Sequence, residues 1–343
     1  MTKNMKTYGL TAALVAALVA HGQAASPPAG YVTVDVPGNS DALVSVPFNQ
    51  ATEFSGAVSA VAGNVITVSG SPFVAGAYNN GLYFVRFTSG TRDGQYTTVT
   101  ANTANTLTVE DASSVAAGNT FVLYPHQTLG SVFTSALAGT AYITSPSAFS
   151  IKTQVLVPNL TGSGINKSAS ATYYHLTGAW RKVGASTSSN FNDTVLLPDS
   201  YVMLRNAGNA TPLMYVANGA PELDALAKTL ATLSSANDIY CVSGRPVPMT
   251  LAQLGLGGTA AFKTTTSTFS IQDTLQVFEN PAGGINKSAS ATYYYFNSAW
   301  RKVGQPTTTS FDNELAIKPG EGFVIRKVGG TPAAAVWTEN APY

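Results

Sequence analysis

The chain has 343 residues, of which 45% are hydrophobic and only 10% charged, with 18 Lys and Arg against 17 Asp and Glu. A formal net charge of +1 with no basic cluster excludes an electrostatic reader of nucleic acid, whose phosphate contacts need grouped Lys and Arg. It equally excludes an acidic disordered chain, and the length is enough to bury a core in two or three domains.

Residues 1–24 read as a secretory signal peptide. Lys3 and Lys6 give a positive start, Leu10 to Ala20 is an apolar run, and Gly22, Gln23 and Ala24 lead to a cleavage point after Ala24. That run is well short of the roughly 20 residues a spanning helix needs, and no later run is more apolar, so no membrane insertion is expected. The end of the sequence, Trp337 to Tyr343, has no hydrophobic sorting tail. The expected setting is secreted, periplasmic or at the cell surface.

In Tyr31 to Val36 the valines fall on alternate positions, the mark of a half-buried strand, and Pro37, Gly38, Asn39 and Ser40 supply a turn before a second strand at Leu43 to Phe48. Residues 25–54 are therefore expected to join the main β assembly. Residues 55–125 carry five short strands, Val65 to Val68, Leu82 to Phe87, Tyr96 to Thr100, Thr106 to Glu110 and Thr120 to Tyr124, separated by Gly and Asn turns. Such spacing predicts a small barrel-like domain.

An internal duplication dominates the rest. Residues 164–184, GINKSASATYYHLTGAWRKVG, return at 284–304 as GINKSASATYYYFNSAWRKVG, with 17 of 21 positions identical at an offset of 120. Phe149-Ser150-Ile151 likewise matches Phe269-Ser270-Ile271. The copies are placed at 126–216 (copy A) and 237–327 (copy B), with 328–343 as a C-terminal tail. Between them, 217–236 is expected to form a linking helix, because Pro221 suits a first turn and Leu223, Leu226, Leu230 and Leu233 follow helical spacing. The expected fold class is thus mostly β: tandem or pseudo-twofold β modules, sandwich or barrel-like, with a small inserted β domain and one short linking helix.

Each copy contains a hairpin whose register can be drawn. Thr177-Gly178 and Asn297-Ser298 serve as two-residue turns, which opposes His175 to Trp180, Tyr295 to Trp300, Tyr173 to Lys182 and Tyr293 to Lys302. These eight residues share an aromatic face with a lysine and are the candidate glycan- or partner-binding positions, since apolar sugar faces stack on aromatic rings. The competing use of such rings is core packing.

Signs of catalysis are sparse. His175 is replaced by Tyr295 in the second copy, so a histidine base common to both is excluded. His126 has no acidic or Cys companion, and two scattered histidines with one thiol give no metal site of the usual spacing. Cys241, the only cysteine, lies in the apolar run Ile239 to Val242 and reads as a buried, inert thiol. Phe311-Asp312-Asn313-Glu314 aligns with Phe191-Asn192-Asp193-Thr194, so side-chain oxygens persist while charges move. Asx turns account for this. A glycosidase would need two of Asp193, Asp273, Asp312 and Glu314 to meet in one pocket. Lys167-Ser168 and Lys287-Ser288 lack phosphate-loop spacing and read as connector geometry.

The opening Gly30 to Asp41, the stretch Val85-Arg86-Phe87-Thr88-Ser89-Gly90, the repeated GINKSASATYYYFNSAWRKVG and the ending Val336-Trp337-Thr338 resemble a verrucomicrobial paralogous family of secreted proteins without a characterised function. The resemblance implies export and brings no catalytic or binding residues. More loosely, Pro319-Gly320-Glu321-Gly322-Phe323 resembles β modules of bacterial exported proteins, and copy A departs from it with Pro198-Asp199-Ser200-Tyr201. The expectation is an exported, non-catalytic structural or cell-surface protein without cofactor or metal. Its partners would be itself, through β edges, or other envelope and extracellular components. The alternatives are a carbohydrate-binding module using the hairpin aromatics and a polysaccharide-acting hydrolase.

Overall fold

The computed structural model describes residues 30–342, so the expected signal peptide at 1–24 lies outside the described residues. The protein is mostly β. Copy A opens with β1 (Gly30–Val36) and β2 (Ser40–Val44). A barrel follows as β3 (Phe54–Ala62), β4 (Val65–Val68), β5 (Tyr83–Phe87), β6 (Tyr96–Asn102), β7 (Thr106–Val109) and β8 (Thr120–Pro125). Copy A resumes with β9 (Gln127–Thr128), the single-turn helix α1 (Leu129–Val132), β10 (Thr153–Val157), β11 (Ala171–Leu176), β12 (Ala179–Lys182), β13 (Val195–Leu196), β14 (Val202–Asn206) and β15 (Leu213–Gly219). Copy B consists of β16 (Leu226–Thr232), β17 (Asn237–Val242), β18 (Thr274–Val277), β19 (Ala291–Phe296), β20 (Ala299–Lys302), β21 (Gly322–Lys327) and β22 (Ala333–Glu339).

The copies have one topology. Copy A forms a five-stranded sheet in the order β12-β11-β10-β14-β2, and copy B one in the order β20-β19-β18-β21-β17. Each is flanked by a two-stranded ribbon, β1-β15 or β16-β22. The duplication is therefore wider than the matching sequence: β1 and β2 correspond to β16 and β17, and β22 to β15. Two corrections follow. The segment read as a linking helix is strand β16, paired along its length with β22, and the segment read as a tail supplies β22. The helical spacing misleads because Leu226 and Leu230, four apart, fall on one face of a strand as well as of a helix. Leu230 enters the core of copy B, whereas Leu223 stands exposed before the strand.

The barrel closes in the order β3-β4-β7-β6-β5-β8 around its own core, which includes Val58, Ile66, Val85, Phe87, Leu107 and Phe121. It sits in the link from β2 to β9, where copy B has only residues 243–248 between β17 and the Met249–Ile317 bridge. Cores of the two modules stay separate, with Trp180 in one and Trp300 in the other. A smaller apolar seam of Leu43, Tyr201, Tyr240, Val242 and Val324 joins them. Within it Tyr201 of copy A lies on Gly322 of copy B, where an added Cβ would fall 2.1 Å from the ring. The departure of copy A from the Pro-Gly-Glu-Gly-Phe pattern is thus complementary to the pattern in copy B.

Sheet edges are covered by the chain itself. On the outer side of β2, Asp41 N donates to Gly284 O, Leu43 N to Asn280 Oδ1 and Ser45 N to Gly320 O, at 2.8 to 3.0 Å. Outside β17, Asp238 N donates to Gly164 O at 3.0 Å. Outside the hairpins, Trp180 N meets Asn192 Oδ1 and Trp300 N meets Asp312 Oδ1, while Phe191 N and Phe311 N return to the Trp carbonyls. These bonds remove much of the template that an open edge offers to another chain, so the expectation of assembly through bare β edges finds no support in these two sheets.

Candidate functional site

The hairpins have the register that their turns dictate: Tyr173 faces Lys182 and His175 faces Trp180, and Tyr293 faces Lys302 and Tyr295 faces Trp300. Thr177 and Gly178, like Asn297 and Ser298, both take positive φ, as a two-residue hairpin turn of this hand requires. The aromatic face points inward. Trp180 and Trp300 are each 1% exposed, Tyr293 1% and Tyr173 6%. Trp180 Nε1 donates to Phe133 O, and Trp300 packs on Phe262 at 5.1 Å between centroids. His175 is buried against Tyr142 and Trp180, with its Nδ1 3.0 Å from Thr144 Oγ1, and burial beside Arg181 lowers its pKa. Half-buried Tyr295 packs over Gly257 and Gly258. The buried rings of this set present no free face to a sugar, and Tyr295, Lys182 and Lys302 are left half-exposed. The physical reason is that alternation assigns side chains to a face but does not say what covers it.

The repeated Gly-Ile-Asn-Lys segment is more than a connector. In each copy it crosses to the first sheet strand of the other. Asn286 N donates to Asp41 Oδ2 at 2.7 Å, while Arg205, beside Asp41 on β14, forks onto both Asp41 oxygens at 2.7 and 2.8 Å and reaches Asn286 Oδ1. The mirror arrangement places Asn166 N on Asp238 Oδ2 at 2.7 Å, with Arg326 on both Asp238 oxygens and on Asn166 Oδ1. Asn166 and Asn286 sit at φ 48° and 55°, a left-handed conformation that Asn tolerates better than most residues. Lys167 Nζ ties down Gly162 O, and Lys287 Nζ ties down Glu279, Asn280 and Ala282 carbonyls, so each lysine staples its own crossing loop.

The acids weighed as catalytic candidates have separate structural partners. Asp273 is buried in an ion pair with Lys327 and accepts from Lys263 N; in copy A, Thr153 Oγ1 accepts from Ile143 N instead. Asp312 caps Trp300 N as Asn192 caps Trp180 N. Asp193 is exposed in its turn. Only Glu314 opens on a cleft, and there it meets a carboxylate outside that set, Glu321.

This cleft, about 120 Å³, lies at the end of β18. Glu314 Oε1 accepts from Tyr293 Oη at 2.6 Å and from Lys302 Nζ at 3.1 Å, and the Lys302 ammonium stands 5.4 Å over the Tyr293 ring. Glu321 lines the same cleft, and burial pushes its carboxyl up to about 7 against the opposing pull of Lys318 and Lys287. Glu314 is held among cations and a phenol, whereas Glu321 is poised to carry a proton near neutrality. Sequence spacing hid the pair because Thr194 and Ser200 stand at the equivalent places of copy A.

The corresponding cleft of copy A is a cavity of about 160 Å³ with mostly apolar walls, where Val157, Pro158, Leu197 and Val202 replace Val277, Phe278, Lys318 and Phe323. The barrel and the linker before it form one side through Phe84 and Pro125 and through Phe48. Arg86 and Glu222 on its lining pair at 3.3 Å, and in a separate small pocket at the same junction of barrel and modules Tyr96 Oη donates to Asp199 Oδ1 and Lys228 Nζ pairs with Asp199 Oδ2. His126 is stacked on Phe84 here with both ring nitrogens unpartnered, and burial lowers its pKa to about 4. Cys241 is fully buried and its thiol is pushed up to about 12, an inert position.

Among the described residues, no helix is long and apolar enough to cross a membrane, and no three His, Cys, Asp or Glu are grouped to hold a metal ion. No protein-family model matches the chain, and comparison with curated proteins and with solved structures gives no match.

Proposed function

We propose that the protein is an exported, non-catalytic structural component of the cell surface or extracellular space, which associates with itself or with other envelope components. The reciprocal clasp is the observation that carries this reading. Two modules of one topology are locked by Asp41-Arg205-Asn286 and Asp238-Arg326-Asn166, so the side chains preserved between copies serve cohesion rather than a reaction. The charged groups tell the same story, since the side chains of Asp41, Asp238, Asp273 and Glu339 are themselves 3% exposed or less and each sits in an ion pair. The resemblance to secreted verrucomicrobial proteins agrees with export. Light scattering on the chain from Ala25 onward tests the self-association: mass should rise with concentration, and a chain that stays monomeric at every concentration would overturn it.

A second reading rests on the copy B cleft. A carboxylate held by Tyr293 and Lys302 shares this cleft with a carboxyl that burial raises to about 7, and two carboxyl groups in one cleft are the equipment of a glycoside hydrolase. Incubation with cell-wall and plant glycans decides it. Hydrolysis that disappears in Glu314→Gln and Glu321→Gln would replace the structural reading with an enzymatic one.

A further inference from the structure

Phe149 and Phe269 occupy equivalent places in the two copies, and both are fully exposed, at 102% and 100% of the reference area. Each is the third residue of a closed four-residue turn: Ser150 N donates to Ser147 O at 3.2 Å, and Ser270 N donates to Ser267 O at 2.9 Å. The turns are tied down from both sides. Ser145 N and Thr265 N donate to the carbonyls of His175 and Tyr295, while Lys152 N and Gln272 N donate to Ser145 Oγ and Thr265 Oγ1. Each phenyl group is therefore presented on a rigid tip, and little backbone freedom remains to be lost on binding. Because His175 and Tyr295 lie at the hairpin ends of β11 and β19, and the clasp loops leave the opposite ends, each tip stands at the end of its sheet remote from the other copy.

The same molecule contains a receptor of matching size. An apolar cavity of about 150 Å³ admits benzene, and the copy A cavity is about 160 Å³, walled by Val44, Pro47, Phe133, Leu197 and Tyr201. It reaches the surface at Leu160, which lines it and is 38% exposed. The four-residue turns bearing the phenyl groups are otherwise built of Ser, Ala and Thr, and the single lysine flanking each, Lys152 or Lys263, falls short of the basic cluster that an anionic lipid surface would call for. A knob and a hole on separate surfaces of one chain make a heterologous contact, which repeats from copy to copy without needing to close.

We infer that Phe149 or Phe269 of one chain seats in the copy A cavity of a second copy, so that the protein assembles head to tail. This rests on the self-association just proposed and names its contact. The test uses two variants of the full mature chain, a knobless Phe149→Ala/Phe269→Ala chain and a hole-blocked Leu160→Arg chain, with circular dichroism confirming that each keeps its fold. Wild-type chains should grow in mass with concentration and shrink again when benzyl alcohol is added to fill the cavity. Each variant alone should associate roughly 10- to 100-fold more weakly, the loss expected from leaving one aromatic side chain in water. Mixing the two variants should restore a complex, because one retains the knobs and the other the hole. Wild-type oligomers that persist unchanged in both variants would remove this contact and leave self-association standing, and a monomeric wild type would remove both. Should Leu160→Arg unfold, release of the wild-type oligomer by benzyl alcohol and its loss in the knobless chain decide the matter alone.

Discussion

At the end of β10 the cleft of copy A is mostly apolar and walled on one side by the barrel, whereas the same place at the end of β18 in copy B is lined by Glu314, Lys302, Lys318 and Glu321. Around these clefts the scaffold has hardly changed. Trp N–H groups keep an oxygen partner, from Asn192 or Asp312, and the N–H of residue 143 or 263 keeps one from Thr153 or Asp273. Where a buried backbone group demands an acceptor, the oxygen has stayed and its charge has drifted, because satisfying the donor matters more than the net charge of its partner. Where nothing in the backbone makes such a demand, the chemistry has diverged freely.

The largest effect should come from breaking the clasp one side at a time. Asp41→Ala or Asp238→Ala leaves an arginine and an asparagine N–H without their acceptor, and each should cost about 3 to 5 kcal/mol in denaturant unfolding. The two sides are not equal. Asn280 adds two bonds to Leu43 across the first clasp, at 2.8 and 2.9 Å, and Leu160 stands in its place across the second. Asp238→Ala should therefore destabilise more than Asp41→Ala, by about 1 kcal/mol.

His126 belongs to the barrel junction, for which copy B has no counterpart. Its pKa falls to about 4 in the folded chain against an ordinary 6.5, so the unfolded chain binds a proton that the folded chain refuses. Stability should be full above pH 6.5 and decline by up to about 3 kcal/mol as pH falls toward 4. Unfolding curves of His126→Phe should lose that slope while the copy B core, probed at Trp300, unfolds as before.

Exchanging residues between copies gives smaller effects. Asp312→Asn installs the residue of copy A and keeps the acceptor for Trp300 N, so the midpoint should move by less than about 1 kcal/mol, whereas Asp312→Ala should cost about 1 to 3. Glu321→Gln should change least at low pH. With its carboxyl raised to about 7, the folded chain holds a proton that the unfolded chain releases above about 4.5, so wild-type stability declines as pH rises through 7 and the glutamine variant should not follow it.

Much of the local structure is written in nearby residues. Two-residue turns with strand alternation on either side fix the hairpin register, and Gly and Asn punctuation marks the short strands of the barrel. The clasp is illegible at that range, since Asp41 and Asn286 lie 245 residues apart and nothing at Asp41 hints at a partner there. Burial of the aromatic face was equally hidden: the alternation that groups Tyr173 with Lys182 is the same whether water or Phe191 lies above it. Strand β16 fails for a related reason, because a four-residue leucine spacing suits both periods and only its pairing with β22 decides between them. The cleft acids escape because their meaning comes from facing one concavity, and Thr194 and Ser200 at their places in copy A give no hint of it.

The crossing of the two loops also governs how the chain acquires its form. Strand β1 pairs with β15 across nearly the whole first half of the protein, and the outer side of β2 is completed only by residues 280 to 320. A chain still being synthesised can close the barrel, whose strands lie close together in sequence, and by residue 219 it holds every strand of the copy A sheet and ribbon, yet the outer side of β2 stays open. The native clasp is thus a late event, closed only when the loops and strands of copy B are present. The interlock that resists unfolding therefore does not exist until the residues of copy B as far as Arg326 are in place.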